Sequence, residues 1–95
     1  MRNNQRIVST IAALKPQLKA KYGVESIGFC SWWTNQKSIT ADLTIIVELN
    51  QPLGWEFYAL KSLLEGKLKM HIDLTTWNGI KPIVREEVRQ MTRMI

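Results

Sequence analysis

Cysteine and histidine are the scarcest reactive residues in this 95-residue chain, which holds one of each, Cys30 and His71. A single cysteine excludes an internal disulfide and suits a reducing compartment. One cysteine and one histidine cannot supply the four ligands of a usual zinc site, so any metal would be a hard cation on carboxylate oxygens. Long apolar runs are missing too: charge or amide interrupts every stretch well short of the ~20 residues a membrane span needs. The opening Met1-Arg2-Asn3-Asn4-Gln5-Arg6 leads into no long apolar block, so no secretory leader and a cytoplasmic location are expected. Internal repeats and low-complexity tracts are also lacking.

What is present is the composition of an ordinary globular protein, 45% hydrophobic and 22% charged, with residues 1–95 expected to form one domain. A domain of this size hides only about 60 to 65% of the surface of its unfolded chain, so its core is thin. The formal charge is +5, and the basic residues are spread over every expected helix rather than gathered in a run. That spread predicts a solvated basic surface in preference to a nucleic-acid site, and the same charge suits an acidic protein partner or a nucleotide.

Ile7, Ile11, Leu14 and Leu18 recur at helical spacing, so the first 22 residues read as helix. Pro16 removes a backbone donor and crowds the carbonyl of Ala12, which predicts a kink or a break near Ala13 to Lys15. Tyr22-Gly23 closes the segment. Glu25 to Cys30 reads as a first strand and Asp42 to Leu49 as a second, in which Leu43, Ile45, Val47 and Leu49 share one face and Asp42, Thr44, Ile46 and Glu48 the other. After the turn signal Gln51-Pro52-Leu53-Gly54, the spacing of Phe57, Leu60, Leu64 and Leu68 predicts an amphipathic helix. Met70 to Thr75 reads as a third strand, ended by Asn78-Gly79 before a last helix from about Lys81 to Met94, with Pro82 in its first turn. The economical architecture is α/β (α+β): a small three-stranded mixed sheet packed by helices.

One pattern carries more than generic content: Phe29-Cys30-Ser31 at a strand end, a polar stretch, Asp42-Leu43-Thr44 opening the next strand, and Asp73 on a third. With Leu14-Lys15-Pro16-Gln17-Leu18 before Tyr22-Gly23-Val24, Phe57 with Leu60-Lys61, Ile72-Asp73-Leu74 and Ile80-Lys81-Pro82, it resembles the minimal nucleotidyltransferases, small relatives of the polymerase-beta superfamily. That family carries Gly-Ser, then two aspartates one residue apart, then a third aspartate on the next strand. The resemblance spans nearly the whole chain and implies a nucleotidyltransferase-like fold. It also implies magnesium and ATP at the site, and a HEPN-domain protein as partner in a toxin–antitoxin pair.

Nucleotidyl transfer uses two divalent ions about 3.5 to 4 Å apart, held by carboxylates on alternate residues of one strand and one more on its neighbour. By resemblance Asp42 holds the first carboxylate position and Asp73 the third, with Thr44 at the second. A hydroxyl lends a lone pair but offsets no charge. Glu48 lies four strand residues from Thr44, about 13 Å, and cannot replace it. Cys30 stands at the glycine that lets amides approach phosphate, Trp33 at a small residue, Thr34 where arginine is frequent and Asn35 at a glycine, leaving Ser31 as the remaining phosphate contact.

Simpler readings stand beside these. Asp42 and Asp73 are also ordinary strand-end polar residues, and of Trp32 and Trp33, which as neighbours point different ways, one reads better as a plug of the pocket than as a base-stacking ring. Cys30 reads as a small buried hydrophobe and not as a nucleophile, since no motif pairs it with His71, an ordinary strand residue. Trp55 and Tyr58 form either an exposed interaction surface or the margin of core packing around Phe57.

The leading expectation is a degenerate, catalytically inactive nucleotidyltransferase-fold protein that acts by protein binding, as the antitoxin of a HEPN-type pair, in a homodimer or hetero-oligomer. The alternative is an active enzyme that moves an adenylyl group from ATP to a protein partner through magnesium on Asp42 and Asp73, with Ser31 and Cys30 at the phosphates. A nucleic-acid module ranks last, because no recognition-helix motif is present.

Overall fold

The computed structural model describes residues 4–30 and 43–95. They form α1 (Asn4–Tyr22), β1 (Val24–Cys30), β2 (Leu43–Leu49), α2 (Glu56–Leu68), β3 (Ile72–Thr76), a 3-10 turn (Trp77–Gly79), α3 (Pro82–Met91) and β4 (Arg93–Met94). The sheet has four strands in the order β3-β2-β1-β4, not the three expected. β1 is antiparallel to β2 and β4, and β2 is parallel to β3.

Side-chain alternation gives each sheet face its own helices. On one face Ile27, Phe29, Ile45, Val47 and Leu74 meet Ile7, Ile11 and Leu18 of α1 and Leu60, Leu64 and Leu68 of α2. Burying one such aliphatic side chain contributes about 1.5 to 3 kcal/mol, so this face holds most of the hydrophobic stabilisation. On the other face Ile46 packs with Ile80 and Val88, with Val84 and Trp77 at the margin. α3 covers this second, thinner face.

α1 runs as one element through Pro16, against the expected break. Leu14 and Leu18, buried on either side, hold both turns to the sheet, and the exposed position of Pro16 leaves the freed carbonyl facing solvent. Gly23, with φ at +71°, ends α1 as expected and returns the chain into β1. A Cβ there would meet the side chain of Asn50, and the backbone N–H of Asn50 donates to the Gly23 carbonyl at 2.8 Å.

β4 was not legible in the sequence. The last helix stops at Met91 rather than Met94, and Arg93 and Met94 pair with Phe29 and Gly28. Gly28 makes this crossing possible, since a Cβ there would stand 2.7 Å from Met94 Sδ and 2.8 Å from Thr92 Cγ2. No described helix is long and apolar enough to cross a membrane.

Candidate functional site

Cys30, Thr44 and Asp73 form one row across three neighbouring strands. Cys30 pairs with Thr44 in the antiparallel β1–β2 ladder, and Thr44 with Asp73 in the parallel β2–β3 ladder. By alternation the row lies on the face that α3 covers, one row beyond Gly28, Ile46 and Thr75. Adjacent strands are about 4.8 Å apart, so Thr44 and Asp73 stand side by side on that face.

The start of β3 is fixed by α2. The Ile72 amide donates to Glu65 Oε2 at 3.1 Å, which places Asp73 as the next residue on the strand. Lys69 makes the preceding reversal possible by taking a left-handed conformation, φ 56°, with its amide donating to the Glu65 carbonyl at 2.8 Å. His71, expected within the strand, precedes it and is exposed, with Nδ1 4.0 Å from Glu65 Oε2.

Burial separates the members of the row. Cys30 and Thr44 are each 1% exposed, and Asp73 is half-buried. Cys30 is thus buried, as expected of a small hydrophobe. Asp73 Oδ2 is buried and has no hydrogen-bond partner among the described residues; Arg85 Nε on α3 shares that state, although its Nη2 donates to the Ile80 carbonyl at 2.9 Å. A buried carboxylate oxygen without a donor calls for a cation or a water. Ser31 and Asp42, and with them Trp32, Trp33, Thr34 and Asn35, lie outside the described residues.

The described donors do not make a two-magnesium cage. They offer one carboxylate and one neutral hydroxyl, and no group of three or more His, Cys, Asp and Glu side chains stands together among the described residues. A cavity of about 660 Å³ lies elsewhere, at the carboxyl ends of β2 and β3, between Asn50, Gln51, Leu53, Phe57 and Trp77. Trp55 and Tyr58 are 86% and 66% exposed, with ring centroids 6.2 Å apart, so neither belongs to the core. Sequence reasoning missed Arg85; its position one turn before Val88, on the covered side of α3, was the available signal.

The three described helices on this mixed sheet, with the Cys30–Thr44–Asp73 row at the end of β1 and the starts of β2 and β3, make a nucleotidyltransferase-like α+β fold. Among solved structures the same fold occurs in a chain of the crystal structure of the toxin–antitoxin MntA–HepT, with a TM-score of 0.65 over 97% of this chain and 70% of that one. Sequence identity is 14%, so the likeness is one of fold. No family model and no curated protein matches the chain.

Proposed function

We propose that this chain is a degenerate nucleotidyltransferase-fold antitoxin that neutralises a HEPN-type toxin by binding it, without nucleotidyl transfer. The observation that carries the reading is Thr44, a neutral side chain buried beside Asp73 where the catalytic family needs a second carboxylate. Two carboxylates, Asp42 and Asp73, would face two divalent ions, an imbalance that removes several kcal/mol of transition-state stabilisation. The fold shared with a chain of a toxin–antitoxin complex supports a protein partner.

The test is growth rescue in cells that express a HEPN-domain toxin together with this chain or its Asp42→Asn, Asp73→Asn double variant. Equal rescue by both is expected. Rescue by the parent alone would sink the inactive reading.

One observation favours a second reading, an active magnesium-dependent enzyme that adenylylates the toxin: the buried Asp73 Oδ2, without a hydrogen-bond partner among the described residues, is an acceptor suited to a cation. Asp42 and Asp73 would then hold magnesium, and Ser31 a phosphate oxygen of ATP. Its signature is an AMP-sized mass gain on the toxin that disappears with Asp42→Asn.

A further inference from the structure

The two parallel strands hand the chain to opposite faces of the sheet. β2 leads into α2 on one face, and β3 leads through the 3-10 turn into α3 on the other. Connections that part in this way leave a crevice at the carboxyl ends of the strands, the place where open α/β sheets hold their ligands. Here that crevice is the cavity of about 660 Å³, within the range of roughly 300 to 1,000 Å³ found for small-molecule sites. Leu49, on its wall, lies five strand residues beyond Thr44, about 16 Å. The cavity is therefore separate from the Cys30–Thr44–Asp73 row.

Its lining selects a class of ligand. Val47 and Leu74 are buried and aliphatic, and the half-buried Phe57 and Trp77 bring one aromatic ring from α2 and one from the 3-10 turn. Such walls suit a flat molecule with apolar faces. Arg89 lies over the Trp77 ring, 5.0 Å from its centroid, so one indole face already serves a cation, whose charge opposes a second cation on the other face. Anions are no better served, because among the described residues the one ionised group at the cavity is acidic, Glu48. Neutral polar groups remain. The Thr76 hydroxyl accepts from the Gly79 amide at 3.3 Å and keeps its own hydrogen to donate, and the Gln51 and Asn78 carboxamides each offer donors and an acceptor. A carboxamide pairs bidentately with a ring edge that carries a donor beside an acceptor. We infer that the cavity at the carboxyl ends of β2 and β3 binds an uncharged flat heterocycle with adjacent donor and acceptor atoms, a free nucleobase or nucleoside. Phe57 and Trp77 take its faces, and Thr76, Gln51 and Asn78 read its edge.

The test is an amide-detected NMR titration of the full chain with three probes: adenosine, its monophosphate and choline. Adenosine should give saturable shifts at the Trp77 indole N–H and at the Gln51 and Asn78 side-chain amides, with the Thr44 and Asp73 amides unmoved. The anionic and cationic probes should each bind at least about tenfold more weakly, and adenosine triphosphate follows the monophosphate. Phe57→Leu should weaken adenosine about fivefold through lost stacking. Gln51→Ala with Asn78→Ala should weaken it about tenfold, by removing two exposed carboxamides that the core does not use. The inference is overturned if adenosine gives no saturable shift, if its shifts fall on the Cys30–Thr44–Asp73 row instead, if the monophosphate or choline binds as tightly as adenosine, or if the Gln51→Ala, Asn78→Ala variant changes nothing. The dispersion of each variant's spectrum reports its folding, and the variant at the two exposed positions decides the matter if Phe57→Leu does not fold.

Discussion

Thr44 and Asp73 stand opposite each other on the parallel strands β2 and β3, a buried neutral hydroxyl against a carboxylate whose inner oxygen has no partner among the described residues. The pair is compatible with a folded sheet because only one member carries charge. A second carboxylate at position 44 would sit about 5 Å from the first, a repulsion of about 3 kcal/mol at an effective dielectric near 20, and a divalent cation would be needed to relieve it.

Thr44→Asp should therefore lower stability by about 3 kcal/mol in the presence of a chelator. Millimolar magnesium should restore much of it, since a ligand that binds only the folded state raises its stability. Thermal melts with and without magnesium check this. An equal magnesium-dependent rise in the parent would show that the cage works without a second aspartate.

Gly28→Ala puts a methyl group against Met94 and Thr92, so β4 must move off β1. The expected loss is about 1 to 3 kcal/mol by urea unfolding, the usual cost of overpacking. Adding Met94→Ala should recover part of it, and hydrogen exchange at the Ile95 amide, bonded to the Ile27 carbonyl at 2.9 Å, should report the detachment.

Pro16→Ala is a stabilising change in this account. Alanine restores a backbone hydrogen bond and removes a helix penalty of about 3 kcal/mol, less the roughly 0.4 to 1 kcal/mol by which proline restricts the unfolded chain, for a net gain of about 2 kcal/mol. A chemical denaturation midpoint that falls instead of rising would mean that the proline serves a bent path for α1.

Two aliphatic residues of α3 should lose stability to very different extents on truncation. Val88, fully buried against Ile46 and Ile80, should cost about 2 kcal/mol as Val88→Ala. Ile83, 90% exposed, should cost less than about 0.5 kcal/mol as Ile83→Ala. Equal losses would contradict the placement of α3 on the second face.

Local periodicity made most of the fold legible. The four-and-three spacing of Ile7 to Leu18 marked the buried face of α1, and the alternation from Leu43 to Leu49 assigned both faces of β2. β4 escaped because two residues carry no period, and its existence depends on Gly28, distant in sequence, leaving room for it. Pro16 misled because local propensity argued for a break where packing of Leu14 and Leu18 holds the helix together.

At the site, residue types were legible and register was not. Asp73 could be assigned to a strand from its neighbours Ile72 and Leu74, but no spacing along the chain says that it faces Thr44, because strand pairing is set by tertiary packing.

The most direct test of the central claim, a partner-binding protein without nucleotidyl transfer, is calorimetric titration of magnesium-ATP into the full chain, with the Asp42→Asn, Asp73→Asn double variant as control. No saturable heat at millimolar ligand, in either protein, is the result this account predicts. Saturable binding by the parent that the double variant loses would contradict it and make the chain a working nucleotidyltransferase.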